Sequence, residues 1–116
     1  MTNLDIIRKH LDQPELLAQL AEEAAELSKA ALKLRRVYTG INPTPVTGKE
    51  AFENLLEEMS DVYNCINALG FDTCVNLGVV QRIMLEKQSR WVERLEASNP
   101  KCNDMPWAPE ADNDSN

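Results

Sequence analysis

Six acidic residues fall in two short clusters, Glu22, Glu23 and Glu26 in the first and Glu57, Glu58 and Asp61 in the second. Each cluster holds an i, i+3 pair, Glu23 with Glu26 and Glu58 with Asp61, and at about 100° per residue such a pair shares one face of a helix. Four carboxylates brought together repel one another unless cations lie between them, and hard oxygen donors of this kind suit Mg²⁺ or Mn²⁺. A solvated face is the plain alternative for either cluster alone, because Glu is a good helix former. Farther along, Lys87, Arg90 and Arg94 recur at spacings of three and four, with Trp91 beside them. Such a row can hold phosphate oxygens, or it can simply pair with Glu86 and Glu93 along its own helix.

The elements that must position these residues are helices. Between Asp12 and Tyr38 the spacing of Leu17, Leu20, Ala24, Leu27, Ala31, Leu34 and Tyr38 predicts one apolar stripe on a long helix, started by the Asp12 cap and Pro14. A short helix, about Leu4 to Leu11, precedes it. Thr39 to Lys49 has two glycines and two prolines and reads as a connecting loop. A second long helix follows from about Lys49 to Leu69 through Phe52, Leu55, Leu56, Met59, Val62, Tyr63, Ile66 and Leu69, stopped by Gly70. Asp72 is expected to cap the last helix, which carries Val75, Val79, Val80, Ile83, Met84, Trp91 and Leu95 and ends near Ser98.

In this arrangement Glu23 and Glu26 flank the ridge from Leu20 to Leu27, and Glu58 flanks that of Leu55, Met59 and Val62. The expectation is therefore an all-α bundle of three main helices plus a short N-terminal one over residues 1–97. Residues 98–116, with four acids and one lysine, are expected to form a disordered acidic tail.

Composition narrows the function. The chain has 116 residues, 43% hydrophobic and 27% charged, with a formal net charge of -7. That is a single small globular domain, and its acidic balance speaks against binding nucleic acid or an anionic membrane surface. No apolar run approaches the roughly 20 residues of a membrane span. Asp5, Arg8 and Lys9 interrupt any signal-peptide core, so the expected location is cytoplasmic. Three cysteines and a single histidine, His10, argue against a disulfide framework or a Cys/His zinc site. With few large side chains, three long helices leave apolar stripe uncovered, and the expectation is a homodimer or homotetramer.

Taken in order, the motifs resemble those of the MazG-like, all-α nucleoside triphosphate pyrophosphatase superfamily. The first long helix reads PELLAQLAEEAAELSKAALK, similar to the family's apolar stripe with EExxE; the second reads ENLLEEMSDVYN, with ExxD at Glu58 to Asp61; the last reads EKQSRWVERL. The likeness spans roughly Gln13 to Leu95, with a connection between the acid motifs on the long side.

The resemblance implies hydrolysis of a nucleoside or deoxynucleoside triphosphate to the monophosphate and pyrophosphate, in nucleotide-pool control, in a cell or a virus-infected host. It implies that Glu23, Glu26, Glu58 and Asp61 bind Mg²⁺, with Mn²⁺ able to substitute, and that Glu22, with Glu23, serves catalysis, Glu22 either positioning or deprotonating water or binding an additional metal. Lys87 and Arg90 would contact phosphates, and Asn64 the nucleotide. His10, Gln13, Tyr63, Cys65 and Trp91 are open as contacts to the base. Phosphoribosyl-ATP pyrophosphatase activity, or a non-catalytic helical interaction protein, are the alternatives.

Overall fold

The computed structural model describes residues 1–98, and these contain four α-helices and no strand: α1 (Asn3–His10), α2 (Gln13–Thr39), α3 (Gly48–Leu69) and α4 (Cys74–Ser98). The all-α expectation holds. The acidic tail expected beyond them lies outside the described residues. Residues 1–73 pack as one unit and the chain from Cys74 onward is a second; each is taken by itself.

The helix starts follow local chemistry. The Thr2 hydroxyl accepts from the Asp5 N–H while the Asp5 carboxylate accepts from the Thr2 N–H, and Thr47 and Glu50 form the same reciprocal pair at the start of α3. Asp12 accepts from the Glu15 N–H, with Pro14 in the first turn of α2. Both long helices of the first unit stop at a glycine in the left-handed region, Gly40 at φ 71° and Gly70 at φ 74°, where a side chain would be strained. One start differs from expectation. The first residue of α4 is Cys74, so the flanking position is Thr73, not Asp72.

Residues 40–47 fold α3 back against α2 as an antiparallel hairpin. Val37 stands beside Gly48, so close that a Cβ on the glycine would lie 3.6 Å from Val37 Cγ1. At the far end of the hairpin Leu16 and Ala68 line one cavity.

The seam between the two helices follows the stripes expected from the sequence only in part: Leu20, Leu27 and Leu34 on α2 and Leu55, Met59, Val62, Ile66 and Leu69 on α3 are buried or half-buried as expected. On α2 the buried and half-buried positions are Leu16, Leu20, Glu23, Leu27, Ala30, Lys33, Leu34, Arg36 and Val37, while Leu17, Ala24, Ala31 and Tyr38 are exposed, Tyr38 at 71%. On α3 they include Ala51, Leu55, Glu58, Val62, Cys65 and Ala68, with Phe52, Leu56 and Tyr63 exposed. Relative to expectation both helices are turned by about half a residue step, roughly 50°. The physical reason is size: Ala30, Ala51, Cys65 and Ala68, all below 9% exposed, let the backbones approach closely, and bulky Phe52 and Tyr63 would hold them apart. Turning the helices this way carries Glu23 and Glu58 from the flanks of the apolar ridges into the seam itself.

The short α1 buries no residue. It is held by Arg8, whose Nε donates to the Ala68 carbonyl at 2.8 Å and whose Nη2 donates to the Asn67 carbonyl at 2.7 Å. These carbonyls end α3, where the helix dipole favours a cation. Arg8→Ala should cost about 1 kcal/mol of local stability. The expected signature is faster hydrogen exchange across residues 3–10, with protection in α2 and α3 unchanged.

Candidate metal centre and its groove

Midway along the seam, α2 supplies Glu23 and α3 supplies Glu58 and Asp61, and one oxygen from each of the three carboxylates lies within 4.8 Å of the others. The antiparallel register causes the meeting. Glu23 and Glu58 occupy seam positions and are half-buried, and Asp61, one turn beyond Glu58 on the same side, is exposed. Glu23 is further oriented by Gln19, whose Nε2 donates to its Oε1 at 2.8 Å.

Electrostatics mark Glu58 as the centre of the cluster. Partial burial holds its carboxyl above the ordinary glutamate range, and the negative charges of Asp61, Glu23, Glu26 and Glu57 push it the same way. Because the folded state then binds a proton more tightly than the unfolded one, this group's contribution to stability falls as pH rises from the ordinary glutamate value through the raised one. At neutral pH the ionised acids around Glu58 repel one another. Three hard oxygen donors converging from two helices fit a small divalent cation such as Mg²⁺ or Mn²⁺, which would remove that repulsion.

The other residues expected at a site fall around this trio. Glu26 lies outside it, with Oε1 3.6 Å from Lys29 Nζ, although its charge is felt at Glu58. Glu22 is exposed, about 100° around α2 from Glu23, and is not one of the three. Asn64 lines a cavity with Glu23 and Asp61. Lys87 and Arg90 stand on one side of α4 with Trp91 and Arg94; that helix belongs to the second unit.

Two hollows border the trio within the first unit. One, of about 250 Å³, is walled by Ile7 of α1 and Leu11 just beyond it and by Leu16, Cys65 and Ala68, with Gln19 and Asn64 supplying amides. Burial pushes the Cys65 thiol up, and the charges of Glu23 and Asp61 push it further, so it stays protonated at neutral pH and packs as an apolar group. The other hollow, of about 360 Å³, is lined by Glu26, Lys29, Ala30, Lys33, Arg36 and Glu58 among others.

Lys33 and Arg36 escaped the reading of the sequence. A signal was present, since no acid occurs between Glu26 and Glu50 while Lys29, Lys33, Arg35, Arg36 and Lys49 do. Basic residues near a helix C-terminus are ordinary, and only the folded groove sets these beside the carboxylates.

Comparison of the chain with family models, with curated proteins and with solved structures gives no match.

The repulsion at Glu58 yields a thermal test. Mg²⁺ or Mn²⁺ should raise Tm at pH 7 by about 10 °C or more at a hundredfold excess over its Kd, because that excess adds about 2.7 kcal/mol and a domain of this size moves by about 4–8 °C per kcal/mol. The gain should shrink toward pH 5, where protons compete. Glu58→Gln should melt higher than the parent at pH 7 without divalent cation and respond far less to its addition, both read by circular dichroism.

Proposed function

We propose that this chain is a metal-dependent nucleoside or deoxynucleoside triphosphate pyrophosphohydrolase of MazG-like type, converting (d)NTP and water to (d)NMP and pyrophosphate. The observation that carries the reading is the convergence of Glu23, Glu58 and Asp61 on one point of a helical hairpin, the residues that the EExxE and ExxD resemblance singles out. Divalent cation held there would bridge phosphate oxygens and offset the charge gathering on the leaving pyrophosphate.

What the chain itself contributes is position and charge. Gln19 fixes the Glu23 carboxylate, the seam fixes Glu58, and the open side of Asp61 leaves an approach for substrate. Glu22, exposed next to Glu23, is the residue assigned in this reading to position or deprotonate water, and Asn64 faces the nucleotide. Lys87 and Arg90 are assigned to phosphates on the strength of the resemblance alone. No covalent nucleophile is required, which agrees with a Cys65 that stays protonated. Nucleotide-pool control or house-cleaning in the cytoplasm is the setting proposed. No described helix is long and apolar enough to cross a membrane.

One observation favours assembly. The faces of α2 and α3 turned from the seam expose Leu17, Phe52, Leu56 and Tyr63, large apolar side chains left in water within this unit. A homodimer or homotetramer would cover them, and the same surface would serve a helical interaction protein.

A panel of NTPs and dNTPs with Mg²⁺, with products separated by anion exchange, should yield monophosphate plus pyrophosphate; stepwise orthophosphate release would contradict the proposal. Asp61→Ala should lose turnover by about a hundredfold or more, a loss of about 3 kcal/mol in transition-state stabilisation, with its helical signal retained. Light scattering on the eluting protein should give at least twice the monomer mass.

A further inference from the structure

Resting on the nucleotide reading above, we infer that the α2–α3 groove binds its ligand in one direction, with the heteroaromatic head in the hollow under α1 and the terminal phosphates on Lys33 and Arg36 of α2. Three chemically different zones lie in sequence along the groove. At the end near α1, Ile7, Leu11, Leu16 and Ala68 make an apolar hollow that carries only the amides of Gln19 and Asn64 and the thiol of Cys65 as polar groups beyond the carboxylates at its edge. In the middle stand Glu23, Glu58 and Asp61. Toward the loop the groove turns basic, with Lys29, Lys33 and Arg36 lining the second hollow.

The carboxylates tie the zones together. Glu23 and Asp61 border the apolar hollow and Glu58 borders the basic one. From Glu26 to Lys33 is about 10 Å of helix axis and from Glu23 back to Leu16 is the same. A ligand whose middle is held at the trio therefore meets amides and apolar walls on one side and cations on the other. A flat ring that must leave water and is read by hydrogen bonds fits the first, and a polyanion fits the second.

The basic end is also uncommitted. Lys29 is engaged by Glu26, but among the described residues neither Lys33 nor Arg36 forms an ion pair, and both are half-buried. Cations drawn partly out of water without a carboxylate gain most from an anionic ligand. The opposite orientation would set phosphates against aliphatic side chains and leave Lys33 and Arg36 facing a neutral ring.

The test is calorimetric, on the full chain with Mg²⁺, with three probes: the four α,β-imido deoxynucleoside triphosphates, the matching monophosphates and inorganic tripolyphosphate. In Lys33→Ala/Arg36→Ala, binding of triphosphate and of tripolyphosphate should weaken at least tenfold, and that of monophosphate less than threefold. In Ile7→Ala/Leu11→Ala the pattern should invert, with both nucleotides weakened and tripolyphosphate unchanged. A Lys33→Gln/Arg36→Gln chain, which keeps more of each stem, replaces the alanine pair should the latter lose its helical signal. Mg²⁺-dependent triphosphate binding that is indifferent to Lys33 and Arg36, or a loss equal for mono- and triphosphate, overturns the orientation and leaves the proposed function standing. Absence of Mg²⁺-dependent binding of any probe to the parent chain overturns both.

Discussion

Mutual repulsion among carboxylates that share the seam of a helical hairpin is the constraint on which the first unit turns. Glu23 and Glu58 occupy half-buried seam positions that an aliphatic residue would fill by burying apolar area without desolvating a charge. The hairpin keeps them there by burying small residues on either side, Ala30 and Ala51 toward the loop and Cys65 and Ala68 toward α1. The close approach is what brings one oxygen of each acid within 4.8 Å of the others. Stability given up at the middle of a seam is the usual mark of a site rather than of a scaffold.

Much of this was legible in the chain. Helix number, order and approximate limits follow from caps and stops that work through local hydrogen bonds: Asp12 with Pro14, the glycines at 40 and 70, and the Pro/Gly loop between the long helices. The acid pairs were legible too, because i, i+3 spacing is a property of one helix. What the periodicity did not supply was the rotation of each helix about its axis. Leu17 and Tyr38, or Phe52 and Tyr63, score as core by hydropathy, yet the seam selects for small side chains, a property of two helices meeting. Lys33 and Arg36 were missed for a related reason. Their significance depends on which residues of α3 lie across from them, and that register is set by the loop.

The rotation also explains how a chain of modest aromatic content can present so much apolar surface. By using Ala and Cys for the seam, the hairpin leaves its larger side chains, Leu17 and Tyr38 on α2 and Phe52, Leu56 and Tyr63 on α3, on the opposite side. Site and outer face are thus two products of a single packing choice. Enlarging a seam residue such as Ala51 would disturb both, separating the carboxylates as it shifted the outer surface.

The connection at residues 40–47 has a kinetic consequence. It is short, and α2 and α3 run antiparallel from it, so their pairing is local and can proceed outward from Val37 and Gly48 like a closing zipper. The carboxylates stand partway along that path. Closure must force Glu58 against Glu26 and Glu23 before Leu16 reaches Ala68, and the uphill stretch falls in the middle of the folding coordinate rather than at its end. A cation that screened the acids would lower that stretch directly, acting on how fast the hairpin forms as well as on how firmly it holds.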